Sequence, residues 1–410
     1  MAFLKDANKI FFIGIGGIGM SGLARLLKAQ GKEVYGSDAQ SSDTTQDLEE
    51  EGIPICKGHN RHHLEEDTDL VIYSEAILES NVELEKAREL EIPTISYFQG
   101  LGEVTEKHQL IAIAGSHGKT TTAAMLALIL QEAGKDPTVI VGSKLKEFGN
   151  KNIRVGGSEL FVVEACEYRR NFLTLKPDLL GITNIDLDHL DYFKDQADYE
   201  KAFQSLALQS KEVLWPEDTS EYEGELGVPG VHNLKNAGLA AHMARRLGVQ
   251  ERDIAEALAH YTGAWRRFEW KGTSLYGALI YDDYAHHPSE VAATLQGARE
   301  KYPDARLIAV FQPHQYSRTH AFLEEFAQAF EEADEVIIPN IYAARDSEED
   351  RHAVSVESLV EEISRYHDNV RDGGGLENTR EYLEDTLEEG DVVVVMGAGD
   401  VNSIIPKLLI

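Results

Sequence analysis

Three times along the chain, a short apolar run passes through a turn into a helical pattern. The three segments span residues 9–27, 110–130 and 306–330, and each apolar run is rich in β-branched or aromatic residues. Strands that alternate with helices in this way are typical of stacked α/β units built on parallel sheets. The sequence therefore predicts an α/β fold.

Length, charge and cysteine content limit what this chain does. A chain of 410 residues corresponds to about two to four ordinary domains, and we expect three. The polar segment 97–108 and the segment 260–267 are where we expect the domain boundaries, near residues 107 and 263, which gives domains at residues 1–106, 107–262 and 263–410. The net charge of −32 and the absence of a long apolar run disfavour nucleic-acid binding and membrane insertion. Two widely separated cysteines, Cys56 and Cys166, fit a cytoplasmic protein.

The first glycine-rich turn, GIGGIG at residues 14–19, follows the predicted strand Lys9–Ile13. Its glycines permit a tight turn that leaves the amides of the next helix directed at a diphosphate. Asp38 ends the next predicted strand, where an acidic group accepts hydrogen bonds from a ribose. Taken alone, this pattern also fits a nicotinamide-dependent oxidoreductase, but a second phosphate loop later in the chain argues against simple hydride transfer.

That second loop, GSHGKTTT at residues 115–122, follows an apolar strand and opens a helix rich in alanine and leucine. The backbone amides of such a loop wrap the β- and γ-phosphates, Lys119 supplies a positive charge, and the Thr120 hydroxyl suits Mg²⁺. Position 113 is isoleucine, so the first glycine of the longer phosphate-loop motif is absent. The pattern predicts an ATP site.

Carboxylates at the ends of neighbouring strands are candidates to complete a magnesium site. Glu164 ends a predicted strand, and residues 183–191, TNIDLDHLD, follow another apolar strand. His189 is the candidate ligand in this second segment. The alternative is a capped helix start, with Asp188 or Asp191 as the cap.

Ordered motifs cover nearly the whole chain. They are GIGGIGMSG (14–22), YSEAI (73–77), GSHGKTTT (115–122), VVEACE (162–167), TNIDLDHLD (183–191), HNLKNAGLA (232–240), RRFEWKG (266–272), DDYAHHP (282–288), FQPHQYSRT (311–319), IYAARD (341–346) and VVVVMGAGDV (392–401). Together they resemble the Mur ligase family, ATP-dependent ligases that join amino acids to a UDP-linked muramoyl acceptor. The resemblance implies a Rossmann-like N-terminal domain for the UDP-sugar, a P-loop ATPase central domain, and a Rossmann-like C-terminal domain that binds the amino acid and closes over ATP.

Within the family, three features are most similar to the branch that joins L-alanine to UDP-N-acetylmuramate through an acyl phosphate, in peptidoglycan precursor synthesis. They are the intact first glycine loop, the His286–His287 pair and the segment 311–319. Phe203 stands near the position where other branches carry a carbamoylated lysine, which also suits this branch. The alternative is the branch that adds a tripeptide to UDP-N-acetylmuramate in cell-wall recycling. The expected state is a monomer or a weak homodimer.

The resemblance implies roles at matching positions. For ATP these are Gly115, Ser116, His117, Gly118, Lys119, Thr120, Thr121, Asn184, His232, Asn233, Asn236, Arg267 and Asp283. For UDP-N-acetylmuramate and the amino acid they are Gly16, Gly17, Ile18, Gly19, Ser37, Asp38, Ser74, His286, His314, Tyr316, Arg318 and Arg345. The implied Mg²⁺ ligands are Thr120, Glu164 and His189. The implied catalytic residues are Lys119, Glu164, His189, Arg267 and His286, and either His286 or His314 acts as the base for the amine or as a neutral hydrogen-bond donor.

Two features depart from the family pattern. Cys166 and the Arg169–Arg170 pair stand where the family usually has an acidic continuation after the metal-binding glutamate. The stretch from residue 191 to residue 232 is too short for the strand-rich insertion common in this branch. The central domain is therefore predicted to be shortened.

Overall fold

Three mainly parallel sheets with flanking helices make up the fold in the computed structural model of this chain, which describes residues 3–189, 192–344 and 346–409. The predicted α/β fold class is confirmed. The chain divides into two compact units. Unit 1 comprises Met1–Gly224 and Asn236–Ala259, and unit 2 comprises Glu225–Lys235 and His260–Ile410.

The first sheet of unit 1 is parallel throughout, with the order β3-β2-β1-β4-β5. Its strands are β1 (Lys9–Ile13), β2 (Glu33–Asp38), β3 (Ile55–Lys57), β4 (Leu70–Tyr73) and β5 (Thr94–Ser96). The accompanying helices are α1 (Phe3–Asp6), α2 (Ile18–Ala29), α3 (Asp43–Glu50), α4 (Val82–Glu89) and α5 (Tyr97–Thr105). Strand β1 is apolar because it lies at the centre of the sheet, and the first glycine loop follows it at the point where the strand order reverses.

Most of the polar segment 97–108, beside which the first domain boundary was predicted, is not a loop but forms helix α5. The Ser96 hydroxyl accepts the N–H of Gln99, and the Gln99 side chain accepts the N–H of Ser96, which is a reciprocal helix cap. A Cβ on Gly102 would lie 2.7 Å from the carbonyl oxygen of Thr174. The glycine there allows close packing of a helix and is not a sign of a loop.

The second sheet of unit 1 has the order β11-β10-β6-β9-β7-β8, and β8 is its antiparallel strand. Its strands are β6 (Gln109–Ala114), β7 (Thr138–Leu145), β8 (Lys151–Arg154), β9 (Leu160–Glu164), β10 (Leu179–Ile182) and β11 (Glu212–Leu214). Two helices lie within its sequence, α6 (Lys119–Glu132) and α7 (Gln196–Leu208). Because β9 and β10 flank β6, the residues that follow these strands lie on either side of the second glycine loop.

Two further helices follow, α8 (Val231–Arg246) and α9 (Glu251–Ala259), and the division between the units falls inside α8. Short 3₁₀ segments occur at Arg61–His63, Lys146–Phe148, Tyr168–Thr174, Pro216–Asp218 and Val401–Ile404.

The third sheet lies in unit 2 and has the order β12-β13-β17-β14-β15-β16, with β12 antiparallel. Its strands are β12 (Glu269–Thr273), β13 (Leu279–Asp283), β14 (Leu307–Phe311), β15 (Glu335–Ile338), β16 (Val370–Asp372) and β17 (Val392–Met396). Its helices are α10 (Pro288–Lys301), α11 (Tyr316–Ala321), α12 (Leu323–Gln328), α13 (Glu348–Ala353), α14 (Val356–Ile363), α15 (Leu376–Thr386) and α16 (Ile405–Leu408). The carboxyl ends of β13, β17 and β14 meet at one edge, where ligands bind in open α/β sheets.

The boundaries predicted after residues 106 and 262 fall between the strands of successive sheets, while the two compact units group the first two sheets together. The three-domain division therefore stays a prediction. Within the described ranges, none of the helices combines the length and the apolar character that crossing a membrane requires.

Candidate active site

The second glycine loop folds over the end of β6, and its geometry requires glycine at two positions. Gly115 and Gly118 have φ angles of 138° and 81°. A Cβ on Gly115 would lie 1.9 Å from the Thr183 hydroxyl, and a Cβ on Gly118 would lie 2.2 Å from Asn236 Oδ1. Helix α6 begins at Lys119, so its first amides face the loop. This is the arrangement that the phosphate-loop prediction requires.

The segment after β10 holds this loop from one side. Asn184 Oδ1 accepts the backbone N–H of His117 at 3.0 Å, and Asn184 Nδ2 donates to the His117 carbonyl oxygen at 3.0 Å. The Thr183 hydroxyl donates to the same carbonyl oxygen. Asn184 therefore shapes the predicted ATP loop through the loop's own backbone.

Ser116 and Tyr199 tie the loop to the segment that carries His189. The Ser116 hydroxyl donates to the carbonyl oxygen of Asp186 at 2.6 Å and accepts the N–H of Asp186 at 2.9 Å. Because its hydrogen is used there, the Tyr199 hydroxyl, 2.9 Å away, donates to Ser116 Oγ. Burial raises the pKa of Tyr199, so the phenol stays neutral and keeps this hydrogen.

Lys119, Glu167 and His189 form a chain of contacts at the centre of the site. Lys119 Nζ lies 3.0 Å from Glu167 Oε2 and donates to the carbonyl oxygens of Gly115 and Ser116 at 2.5 and 2.9 Å. Glu167 Oε1 lies 3.4 Å from His189 Nε2. Burial by itself would lower the pKa of Lys119 and raise that of Glu167, but their attraction outweighs burial and shifts both in the opposite directions. The two groups are therefore both charged at neutral pH.

Thr120 and Glu164 meet beside the loop. The Thr120 hydroxyl donates to Glu164 Oε2 at 2.8 Å, and the N–H of Gly142 donates to the same oxygen at 2.7 Å. A hydroxyl and a carboxylate are hard oxygen donors, and they fit one Mg²⁺ completed by phosphate oxygens and water. His189, the third predicted ligand, contacts Glu167 instead. Across residues 3–189, 192–344 and 346–409, no group of three or more histidine, cysteine or acidic side chains forms a metal cluster.

The segment after β10 is not a capped helix start at Asp188. The first helix described after residue 183 is α7, which begins at Gln196 and has Asp195 as its cap. Asp188 Oδ1 instead accepts the N–H of His189, whose φ angle is 56°. The other predicted cap, Asp191, lies outside the described residues.

Asp38 holds the first glycine loop. Its Oδ2 accepts the N–H of Gly16 at 2.8 Å, and a Cβ on Gly16 would lie 2.9 Å from that oxygen. Helix α2 begins at Ile18 and is preceded by Gly17, which has no side chain to cap the first amides. A Cβ on Gly19 would lie 2.6 Å from the Tyr97 ring. These close approaches explain the glycines and leave the start of α2 suited to a diphosphate.

Ser37 and Ser74 both lie beside this loop but differ in exposure. Ser37 is fully buried and its hydroxyl donates to Glu83 Oε2 at 2.7 Å. Ser74 is only half-buried, and its N–H donates to the carbonyl oxygen of Ile13. The Ser37 hydroxyl is thus engaged inside the protein, and contacts from either serine to the UDP-sugar stay predictions.

In unit 2, Asp283 ends β13 and is buried. Its two oxygens accept the N–H groups of Phe268 at 2.6 Å and Ala285 at 2.7 Å. Burial raises its pKa to about 6, because these contacts only partly offset the loss of hydration. The carboxyl group is therefore fixed by the backbone on both sides.

Arg266 and Arg267 are adjacent, and the structure separates their roles. Arg266 is buried, lies 3.0 Å from Asp282 and donates to the carbonyl oxygen of Gly397. The side chain of Arg267 is 28% exposed and lies over the Tyr284 ring, 5.4 Å from its centroid. The Arg266 side chain is therefore bound to residues at the end of the third sheet, whereas the Arg267 side chain is accessible to an anionic ligand.

His286 lies next to two acceptors. Its Nδ1 is 2.9 Å from the carbonyl oxygen of Tyr284 and 3.2 Å from Glu290 Oε2. Glu290 Oε1 lies 3.9 Å from the guanidinium of Arg267. Unit 2 therefore brings together the predicted catalytic residues Arg267 and His286 through a carboxylate that was not predicted.

The FQPHQYSRT segment follows β14. His314 stacks on the Tyr342 ring with a centroid separation of 5.5 Å. The centroids of the His314 and His286 rings are 6.2 Å apart. Tyr316 is the first residue of α11, and Arg318 in the same helix is buried. Arg345 lies outside the described residues.

The HNLKN motif is divided between the units. His232 and Asn233 belong to unit 2, where Asn233 Nδ2 donates to the carbonyl oxygen of Pro229 at 2.6 Å. Burial lowers the pKa of His232 to about 4, so its imidazole is neutral at physiological pH. Asn236 belongs to unit 1 and lies against Gly118 of the second glycine loop.

Three residues at these sites were not assigned from the sequence: Glu167, Tyr199 and Glu290. Glu290 had a usable signal, since it stands three residues after His287 and two after Pro288, which is the spacing of a capped helix start. Glu167 and Tyr199 act through residues far away in the sequence, and we find no local signal for them.

Family models match the chain in three successive segments. "Mur ligase family, catalytic domain" matches residues 9–109, "Mur ligase middle domain" matches residues 113–220, and "Mur ligase, glutamate ligase domain" matches residues 266–399. Together the matched segments cover more than half of the chain.

Curated relatives align with the chain from end to end. The UDP-N-acetylmuramate–L-alanine ligase of Caldanaerobacter subterraneus subsp. tengcongensis is 39% identical over 460 aligned positions, which cover 99% of this chain and 98% of the relative. The protein of the same name from Acetivibrio thermocellus is 39% identical, with 98% and 96% covered. Because the first alignment is longer than the 410 residues of this chain, that relative carries residues that this chain lacks.

Solved structures show the same fold. The UDP-N-acetylmuramate-alanine ligase of Thermotoga maritima superposes with a TM-score of 0.83 at 28% identity, with 98% of each chain covered. A murein peptide ligase from Psychrobacter arcticus superposes with a TM-score of 0.68 at 24% identity, again with 98% of each chain covered. The second likeness concerns the fold alone.

Proposed function

Because this chain belongs to the Mur ligase family, we propose that it is an ATP-dependent ligase that joins L-alanine to the carboxylate of UDP-N-acetylmuramate. The observation that carries the proposal is the end-to-end alignment, at 39% identity, with relatives of that name. Membership of this family argues against the alternative function, a nicotinamide-dependent oxidoreductase, which the first glycine loop alone would fit. The reaction belongs to peptidoglycan precursor synthesis.

The first step transfers the γ-phosphoryl group of ATP to the muramoyl carboxylate. A carboxylate oxygen forms the new bond to phosphorus while the bond to the β–γ bridging oxygen breaks and ADP leaves. Lys119 and the first amides of α6 supply positive charge to the phosphate oxygens. Asn184 keeps the loop in the conformation that presents those amides, through its bonds to His117.

Thr120 and Glu164 are the residues that would hold Mg²⁺, and the ion would neutralise phosphate charge when bound. These two side chains bond to each other at 2.8 Å, so hard oxygen donors converge beside the loop. His189 contributes through its contact with Glu167, and a direct role for it as a ligand remains part of the proposal.

The second step is attack of the amine on the acyl phosphate. The nitrogen forms the amide bond to the acyl carbon, the carbon–oxygen bond to phosphate breaks, and the amine loses its protons. Arg267 has the exposure and charge to bind phosphate oxygens, and His286 lies close to it through Glu290. We place the reaction in the cytoplasm, which suits the free thiols of Cys56 and Cys166.

The experiment is ADP release from ATP and Mg²⁺ with UDP-N-acetylmuramate, and with L-alanine, glycine, L-serine or the L-Ala-γ-D-Glu-diamino acid tripeptide in separate reactions. We expect release that requires both UDP-N-acetylmuramate and L-alanine. Release with the tripeptide alone would assign the chain to the recycling branch. Release that needs no acceptor, or none with any pair, would overturn the proposal.

A further inference from the structure

Asn152, in β8, is a buried polar residue of unit 1 that the ligase proposal does not explain. Its side-chain amide lies between two residues of α2, the helix that begins at the first glycine loop. Nδ2 donates to the carbonyl oxygen of Ile18 at 2.5 Å, and Oδ1 accepts from Arg25 Nη1 at 3.4 Å. A carbonyl oxygen can only accept and a guanidinium can only donate, so these partners fix the orientation of the amide. A residue that is 1% exposed therefore joins the second sheet to the start of α2.

Gly22, the last glycine of the GIGGIGMSG motif, makes room for this amide. Ile18, Gly22 and Arg25 stand at helix positions i, i+4 and i+7, so they share one face of α2. A Cβ on Gly22 would lie 2.7 Å from Asn152 Nδ2. The ligand contacts predicted for this motif end at Gly19 and leave this glycine unexplained. The close packing of α2 on β8 explains it.

Ion pairs join the same elements. Arg25 Nε lies 2.8 Å from Glu51 Oε2, and Lys151 Nζ lies 3.1 Å from Glu51 Oε1. Burial by itself would raise the pKa of Glu51, but the two cations outweigh burial and lower it. Lys144 of β7 forms a second link, since its Nζ lies 3.3 Å from Asp47 Oδ2 in α3. Opposite charges therefore hold the hairpin of β7 and β8 against the helices of the first sheet, in addition to the buried amide.

The same hairpin also contacts the predicted magnesium site. Its two strands are out of register between residues 140 and 145, and Asn152 stands opposite this irregular stretch. Gly142 lies within the stretch, and its N–H donates to Glu164 Oε2 at 2.7 Å. One hairpin therefore contacts the predicted metal carboxylate from β7 and the first turn of α2 from β8.

The separation of these two contacts matters for the proposed reaction. The diphosphate of the UDP-sugar is predicted at the start of α2, while Thr120 and Glu164 would hold the ion beside the phosphates of ATP. The muramoyl carboxylate belongs to the same molecule as the diphosphate, so a shift of α2 moves the attacking oxygen relative to the γ-phosphorus. A misplacement of about 1 Å can lower a rate by about 10²-fold.

We propose that Asn152 is a positioning residue that fixes the start of α2 relative to Glu164 and thereby aligns the muramoyl carboxylate with the γ-phosphate. This inference rests on the proposed ligase function and concerns its first step. In that step the carboxylate oxygen bonds to phosphorus while the bond to the β–γ bridging oxygen breaks and ADP leaves. Asn152 acts through the Ile18 carbonyl group and through the hairpin, without touching either substrate.

Four variants test this role. Asn152→Ala removes both hydrogen bonds of the amide, and Gly22→Ala places a methyl group against it. The double variant Gly22→Ala/Asn152→Ala relieves that clash, because the added methyl group then has room. Asn8→Ala makes the same change as Asn152→Ala at an exposed position of unit 1 and is the matched control.

Three measurements are made on each full-length variant, together with the fraction of folded protein from denaturant unfolding. The first is calorimetric titration with UDP-N-acetylmuramate and, separately, with ATP and Mg²⁺. The second is kcat with L-alanine and the exchange of label between ADP and ATP with UDP-N-acetylmuramate and no amine, which reports the first chemical step. The third is the distance between spin labels on Glu85→Cys in α4 and Glu132→Cys in α6, both exposed positions, in a background that carries Cys56→Ser and Cys166→Ser.

We expect Asn152→Ala to lower the exchange rate and kcat together by about 10- to 100-fold, because the substrates are misaligned before phosphoryl transfer. Each Kd should change by less than about threefold, since the groups that touch each substrate remain. The distribution of label distances should shift or broaden. Gly22→Ala should show the same pattern, the double variant should be no less active than Asn152→Ala, and Asn8→Ala should match the parent.

Exchange and kcat in Asn152→Ala that fall only as far as the fraction of folded protein would show a merely structural role and overturn the inference. A large rise in either Kd would assign Asn152 to substrate binding and would overturn it too. If the parent shows no alanine-dependent turnover, the proposed function fails, but the label distance does not depend on the reaction. A distance distribution in Asn152→Ala equal to that of the parent would overturn the positioning role independently of activity.

Discussion

The Glu167 carboxylate lies 3.0 Å from the Lys119 ammonium, and its other oxygen faces His189 at 3.4 Å. The side chain of Glu167 is 2% exposed, so it depends on these partners for its charge. One buried carboxylate thus connects the lysine of the second glycine loop to the histidine that the sequence assigned to metal binding. Glu164, one predicted metal ligand, bonds to Thr120, the other oxygen donor predicted for Mg²⁺.

Replacing Lys119 should destabilise unit 1 through Glu167. In Lys119→Met the carboxylate stays buried with a weaker partner, which costs about 3 kcal/mol in the free energy of unfolding. Adding Glu167→Gln should recover most of this loss, because it removes the uncompensated charge. The measurement is denaturant unfolding followed by the fluorescence of Trp215, in a background that carries Trp265→Phe and Trp270→Phe. Lys107→Met, at an exposed position, is the control, and a Lys119→Met variant as stable as the parent would contradict the prediction.

Glu164→Gln should change the magnesium dependence of turnover. The amide side chain binds Mg²⁺ more weakly than the carboxylate, and we expect the Mg²⁺ concentration for half-maximal ADP release to rise by about 10- to 100-fold. The fold should persist, since the glutamine oxygen still accepts the N–H of Gly142. Glu159→Gln, an exposed change in the same unit, should behave as the parent. A magnesium dependence equal to that of the parent would remove Glu164 from the metal site.

Arg267→Ala should strongly lower turnover and leave UDP-N-acetylmuramate binding intact. Loss of a cation that stabilises phosphate charge lowers kcat by about 10²-fold or more, and calorimetric titration with UDP-N-acetylmuramate measures the binding. Arg365→Ala, at an exposed position of unit 2, is the control. Unchanged turnover would exclude Arg267 from the site.

His232 should make unit 2 less stable in acid. The folded pKa of about 4 lies below the ordinary value of 6.5, so the unfolded chain binds the proton first. This contribution is fully present above pH 6.5 and is lost as the pH falls to 4, up to about 3 kcal/mol. His232→Gln should remove that slope, measured by unfolding in a Trp215→Phe background, where Trp265 and Trp270 report unit 2.

Asp283 supplies the contrast for this measurement. Its folded pKa of about 6 lies above the ordinary 3.8, so its contribution is present below pH 3.8 and is lost as the pH rises to 6. Relative to the parent, Asp283→Asn should therefore gain stability with rising pH in the window where His232→Gln loses it. Equal pH slopes of the free energy of unfolding for the two variants would contradict the pKa directions given for His232 and Asp283.

The sequence predicted the parts of the site that depend on local backbone geometry. Gly115 and Gly118 have positive φ angles and leave no room for a Cβ, so the loop requires them wherever it folds. Asp38 and Glu164 end parallel strands as predicted, and carboxylates at such ends meet at one edge of a sheet; their ligand contacts stay predictions. Glycine spacing was misleading at α5, where Gly102 allows a close helix contact and does not mark a linker.

By itself, the sequence determined the α/β fold and the two glycine loops, because these follow from residue patterns within a few turns of chain. It indicated the family through the resemblance of ordered motifs spread along the chain. Only the tertiary structure decided the pairing of Lys119 with Glu167, 48 residues away, and of Ser37 with Glu83, 46 residues away. It also decided that Glu290 faces both His286 and Arg267. Such contacts depend on how separate strands and helices pack, and a buried charge takes whichever partner that packing places within hydrogen-bond distance.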